Sequence, residues 1–162
     1  MADALTATAQ RVQDALRALG VAGEVVELPA STRSAAEAAQ AIGCRVEQIA
    51  KSLVFRGLST NRPVLAIVSG ANRVDEERLG ELVAEGVAKA DADYVRQRTG
   101  YAIGGVPPVG HVESLLCLID EDLFQYDTIW AAAGTPRAVF RLTPVDLHRI
   151  TGGRVASVKG VR

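Results

Sequence analysis

The chain has 162 residues with a formal net charge of −1; 23% of them are charged and 48% hydrophobic. That is enough for one domain, spanning 1–162, with its own core and an ordinary globular composition. It argues against a protein that coats nucleic acid through bulk positive charge. No apolar run nears the roughly 18 to 20 residues of a membrane helix. The opening MADALTATAQRVQ lacks the basic start and apolar stretch of a secretory signal, so a cytoplasmic location is expected.

The first element is helical: Leu5, Ala9, Val12, Leu16 and Leu19 fall on one face, stopped by Gly20. GEVVEL (23–28) reads as a short strand closed by Pro29. In STRSAAEAAQAIG, Ser34 and Glu37 form a capping-box pattern ahead of a helix that ends at Gly43. Val46 to Ala50 read as a short helix and SLVFRG as a strand, which places Lys51 at a helix-to-strand junction. Pro63 opens a second strand, VLAIVSG (64–70), and Asp75 caps a helix through about Ala84. DADYVRQRTG predicts another helix with Gly100 just past its end. YAIGGVPPVGH (101–111) is too rich in Gly and Pro for any regular element. LLCLID (115–120), DTIWAAAG (127–134) and AVFRLT (138–143) read as strands, the last two joined around Gly134-Thr135-Pro136. Pro144 starts the helix PVDLHRITGG, and RVASV is a final strand. Neighbouring strands sit too close for helical crossovers. An α+β fold with a mixed, largely antiparallel sheet and surrounding helices is therefore expected rather than a doubly wound parallel sheet.

Lys51 is the first candidate for chemistry. The chain has three lysines, Lys51, Lys89 and Lys159, against fifteen arginines, and Lys51 interrupts the apolar run QIAKSLVF. Three readings are open: a stem packed on the sheet with its ammonium in water, a partly buried ion pair, or an ammonium at the mouth of a pocket awaiting an anion. GGVPPVG is the second candidate. Its glycines permit close backbone approach and its prolines fix φ, so it is either a rigid turn or a set of main-chain donors held for an oxyanion or phosphate. His111 follows this loop, facing solvent or a ligand. Asn72 and Arg73 follow a strand end, as ligand-facing residues or as the turn before Asp75. Trp130 beside AAAG is core, with the alanines leaving room for close packing or a small pocket.

Other chemistry finds no foothold. There is no Walker GKS/GKT, no GxGxxG after a strand, no GxSxG and no HExxH or Cys/His cluster. No cofactor and no metal is expected. Cys44 and Cys117 are read as two buried thiols of a reducing compartment rather than a disulfide. An enzyme built on this chain would position a water rather than use a side-chain nucleophile.

Taken together, AKSLVF, TGYAIGGVPPVGH and AAAGTPRAVFRLTPVDLHRITGG resemble the YbaK/ProX-type aminoacyl-tRNA deacylases, relatives of the editing domain of bacterial prolyl-tRNA synthetases. The likeness runs from Ala4 to Val158. It implies a barrel-like sheet and hydrolysis of the ester between a wrong small amino acid and the 3′ ribose of tRNA. The family's essential lysine matches Lys51, which would bind the phosphate or ribose end of the tRNA terminus. Its GxxxP loop matches Gly104 to Pro108, which would hold the aminoacyl group and the attacking water, with a ribose hydroxyl helping to activate that water. Ser52, Gly105, Val106, Gly110, His111, Ala132, Ala133 and Gly134 are the implied substrate-binding positions. Implied partners are mischarged aminoacyl-tRNA and a delivering synthetase, with the chain a monomer or homodimer. Ser52 stands where cysteine-preferring relatives place a threonine, and Ala132-Ala133 where they carry a serine. AAAGTP also lacks the histidine-containing turn of alanine-preferring relatives, so the edited residue stays open among Ala, Cys, Ser and other small ones. Two other readings are a non-catalytic tRNA- or nucleic-acid-binding module of the same fold and a small-molecule-binding α+β domain.

Overall fold

A computed structural model of the chain describes residues 5–29 and 34–160. Ala4, where the resemblance begins, and Ser31, Thr32 and Arg33 ahead of the second helix lie outside the described residues. Helix α1 (Ala7–Ala18) starts where the Thr6 hydroxyl accepts from the Ala9 amide, and it buries Ala9, Val12 and Leu16. Gln13 is buried with them. Its side-chain oxygen accepts the Val25 amide at 2.8 Å, tying α1 to β1 (Val25–Glu27). Ser34 caps α2 (Ala35–Ile42): the Glu37 amide donates to the Ser34 hydroxyl, which itself donates to Glu37 Oε1 at 3.3 Å, and the helix stops at left-handed Gly43.

A 3₁₀ turn, Val46–Gln48, then leads into β2 (Ile49–Gly57). The short helix expected through Ala50 gives way here. Ile49 pairs with Trp130, and Ala50 with both Ala131 and Ser69, so sheet pairing claims both residues. Lys51 is consequently the third residue of a strand and not a junction. After β3 (Pro63–Ser69) come α3 (Glu76–Val83), capped by Asp75, then β4 (Val87–Lys89) and α4 (Ala92–Thr99). The irregular segment 101–111 follows, then β5 (Leu116–Asp120), a 3₁₀ turn (Glu121–Gln125), β6 (Ile129–Ala132) and β7 (Ala138–Leu142). Helix α5 (Pro144–Thr151), capped by Thr143 with Pro144 in its first turn, and β8 (Arg154–Ala156) complete the described elements. The three-residue β4 has no sequence signature of its own.

The sheet runs β1-β7-β6-β2-β3-β5-β8, with β4 also on β2. The pairs β1/β7, β6/β7, β2/β3 and β2/β4 are antiparallel, while β2/β6, β3/β5 and β5/β8 are parallel. The mixed, mainly antiparallel α+β fold is thus as expected. Strand alternation sorts the core into two faces. Ala50, Val54, Leu65, Ile67 and Phe140 share one face with Leu16 of α1 and Leu147 of α5. Phe55, Val64, Ala66 and Val68 share the other with Leu79 and Val83 of α3. A one-residue slip of β2 would exchange these sets, so the register is firmly fixed.

Candidate functional site

The site begins as a defect in pairing. One edge of β2 is continuously bonded to β3 from Ala50 to Arg56. The other edge is shared: β6 takes Ile49–Ala50 and β4 takes Phe55–Gly57. Among the described residues no strand pairs with 51–53 on that side. The Val54 carbonyl accepts the Ala90 amide there at 3.2 Å. Main-chain groups two residues apart point the same way, so the amide and carbonyl of Ser52 also turn toward this gap and find no strand partner. The Ser52 hydroxyl is buried and has no hydrogen-bond partner among the described residues. Native structures rarely leave such groups unsatisfied, so each one calls for an explanation.

A cavity of about 450 Å³ opens over the gap, within the size range of ligand sites. Its walls are Ser34, Ala35 and Ala38 of α2, Trp130 and Ala132 of β6, Thr135–Pro136 of the β6–β7 turn, and Ile103, Gly104 and Val106 of the glycine–proline loop. Among the described residues Lys51 and Lys89 are the only charged ones that line it, and no carboxylate does.

Lys51 shares a strand face with Leu53 and Phe55. Its Nζ donates to the main-chain carbonyl of Asn72 at 2.8 Å. No carboxylate forms a salt bridge with it among the described residues, so the ion-pair reading is not met. Burial lowers the pKa of this ammonium below the usual lysine value, Arg73 pushes the same way, and Asp120 opposes them. An ammonium has three N–H donors; one is used, on a neutral oxygen.

The loop is rigid for identifiable reasons. Gly104 adopts φ +89°, a conformation that side chains resist. The Gly105 carbonyl accepts the Gly134 amide at 2.9 Å. A Cβ on Gly105 would lie 2.7 Å from Thr135 Cα, so only glycine allows the loop to dock on the β6–β7 turn. Gly134 in turn packs under α1, where a Cβ would meet Thr8 Cγ2 at 2.9 Å. His111 Nε2 lies 2.6 Å from the Pro107 carbonyl. A carbonyl only accepts, so the ring nitrogen must donate, and burial favours the neutral imidazole. His111 is a brace of the loop rather than a solvent-facing side chain. The Val106 amide, in a residue 2% exposed, has no partner among the described residues.

Of the positions singled out from sequence, Lys51, Ser52, Gly104, Val106 and Ala132 meet at the cavity. Gly105, Pro108, Gly110, His111, Ala133 and Gly134 do not line it. Gly105, Gly134 and His111 hold the loop in place. Pro108 and Ala133 are buried, and Gly110 accepts the Tyr101 hydroxyl on its carbonyl. Unforeseen lining residues are the alanine face of α2, the Thr135–Pro136 turn, Trp130 and Lys89. Only the scarcity of lysine hinted at Lys89. Among the described residues no group of three His, Cys, Asp or Glu is placed to hold a metal ion, and no helix is long and apolar enough to cross a membrane. Cys44 and Cys117 are separate thiols, and burial raises the pKa of Cys117 to about 11.

Fold and site define a class: a mixed α+β domain in which an interrupted strand edge sets a lysine against a glycine–proline loop. The chain belongs to the aminoacyl-tRNA editing domain family, which matches residues 29–150. A crystal structure of a "putative trans-editing enzyme for prolyl tRNA synthetase" is 51% identical, covers 98% of this chain and 100% of its own, and superposes with a TM-score of 0.92. EbsC of Enterococcus faecalis (strain ATCC 700802 / V583), named a "Putative Cys-tRNA(Pro)/Cys-tRNA(Cys) deacylase", is 29% identical over 128 residues, 77% of this chain and 76% of that one. The "Uncharacterized protein YwhH" of Bacillus subtilis (strain 168) is 28% identical over 132 residues, 82% of this chain and 83% of that one.

Proposed function

We propose that this chain is a free-standing editing hydrolase that releases a wrongly attached small amino acid from the 3′ end of tRNA, using a positioned water. The observation that carries this reading is the convergence of Lys51, Gly104 and Val106 on one cavity, which no carboxylate lines among the described residues. Family membership and the names given to its relatives agree with it. Lys51, and Lys89 at the other end of the β2 gap, are cations suited to the phosphates of a tRNA terminus. The α2 and β6 alanines keep side-chain bulk out of that part of the cavity, where a small side chain would sit.

The chemistry asks little of the protein. Water adds to the acyl carbon, the carbonyl oxygen becomes an oxyanion, and the bond to the ribose oxygen breaks as that oxygen takes a proton. The Val106 amide is the donor on offer to the oxyanion. One well-aimed donor supplies about 10²–10³ in rate, and held geometry adds more. A ribose hydroxyl helping to activate the water fits a cavity that no carboxylate or histidine lines among the described residues. Selectivity is by exclusion. A synthetase separates side chains differing by one methylene only about 10–200-fold, whereas a second, smaller pocket refuses what it cannot hold.

The test is a panel of tRNAs charged with Ala, Cys or Ser. At least one is expected to lose its amino acid far faster with the chain than without it. Release no faster with the chain than without it, for every tRNA of the panel, would contradict the proposal.

A further inference from the structure

Asp120 acts on the charge of Lys51, and Asp122 shares the Asn72 side chain with Asp120, yet neither forms a salt bridge with Lys51, and the reason is visible in Asn72. The Asn72 side-chain nitrogen donates to Asp120 Oδ2 and to Asp122 Oδ2, each at 2.8 Å. Asp120 is fully buried. It also accepts the amides of Ser69 at 3.0 Å and Asp122 at 2.9 Å, so three of its roughly four acceptor sites are taken. Asp122 is held from the other side by Lys159 Nζ at 2.6 Å. Lys159 is placed there by a bridge to Val74, beside the Val158 carbonyl that accepts the Asp75 amide. The Asn72 amide closes a turn on Ser69 at 2.9 Å, which leaves its carbonyl to accept Lys51.

We infer that Asn72, pinned by Asp120, Asp122 and Lys159, is a positioning residue that fixes the Lys51 ammonium at the cavity while keeping both carboxylates from neutralising it. Charge-assisted hydrogen bonds are stronger than neutral ones, so a free carboxylate this close would capture the ammonium. A carboxylate already satisfied by an amide side chain, main-chain amides and a second lysine has little left to offer. The Asn72 carbonyl aims the nitrogen without cancelling its charge, and the charge stays available to an anion. The charged groups around Lys51 are Arg73 on the same turn, Asp120 at the end of β5, Asp122 in the following 3₁₀ turn, and Lys159 beyond β8. Two of the chain's three lysines thus belong to one device, and the third lines the same cavity. The inference rests on the proposed function for its purpose but not for its test.

With only three lysines, [13C,15N]lysine labelling gives three side-chain ammonium signals, assigned by single replacements. The probe is inorganic phosphate. In the unaltered chain the Lys51 signal is expected to respond to phosphate. In Asn72→Ala the midpoint of that response should rise about tenfold or more while the Lys89 signal keeps its position. The surface change Lys159→Met, which leaves the turn intact, should raise it about threefold. No response in the unaltered chain, or an unchanged Lys51 response in Asn72→Ala, would overturn the inference. Should the response depend on Asn72 while no tRNA of the charged panel is hydrolysed, the clamp stands and the hydrolase reading falls.

Discussion

Strands β2 and β3 are neighbours in one sheet and are used in opposite ways. All seven residues of β3 are buried, and both of its edges are bonded, to β2 and to β5. In β2, residues 51–53 lie half-buried along an edge from which β6 and β4 have both withdrawn. The cross-strand pair Ser52 and Ile67 condenses the contrast. Ile67 is fully buried in the core, and Ser52 keeps a buried hydroxyl with no partner among the described residues. One strand contributes stability. Beside it, the other gives up pairing and leaves polar groups unpartnered along the cavity.

The comparison is broken most forcefully from the stable side. Ile67→Ala should cost about 2–5 kcal/mol, the range for truncating a buried aliphatic side chain, read as a lower midpoint of denaturant unfolding. Gly104→Val should lower that midpoint less, by the roughly 1–3 kcal/mol of a strained backbone, and lower kcat/KM for deacylation by about a hundredfold. The cause differs from simple filling of the pocket: a Cβ at Gly104 meets only Pro136 Cγ at 3.9 Å. The φ of +89° is what a β-branched residue cannot hold, so the loop must move. Wild-type kinetics there would separate the loop from the site. Lys89→Ala should cost a fewfold in kcat/KM with tRNA and reduce the slope of log affinity against log salt by about 1, as one lost phosphate contact does. An unchanged slope would remove Lys89 from the tRNA path. Ser52→Ala should be the mildest for the fold, because deleting a buried unpaired hydroxyl is neutral or stabilising. Its effect should appear in the relative rates for Ala-, Cys- and Ser-charged tRNA. A marked drop in thermal midpoint would mean that the hydroxyl is structural.

Much of this could be read from the chain because it is local. The caps at Ser34 and Asp75, the start at Pro144, the glycine stops and the alternation of β2 and β3 each depend on a few adjacent residues. Lys51 and the glycine–proline loop were also legible, one as a charge in an apolar run and the other as a dense pattern of Gly and Pro. What escaped was relational. The gap in β2 exists only because two strands distant in sequence, β6 and β4, stop short of each other. The α2 wall is written in plain alanines, and Asn72 acts through a main-chain oxygen that every residue possesses. The extension of β2 over Ile49 and Ala50 likewise came from pairing with β6, which local propensity does not encode.

The central claim is that the Lys51 ammonium and the main chain of the 104–108 loop serve one reaction. Deacylation of a mischarged tRNA by the unaltered chain and by Lys51→Ala, in single-turnover conditions across pH, tests it most directly. The account predicts a loss of at least a hundredfold in Lys51→Ala with unfolding unchanged. It also predicts that activity of the unaltered chain declines as pH rises through a lysine pKa lowered by burial, earlier than an exposed lysine would dictate. Full activity in Lys51→Ala would contradict it.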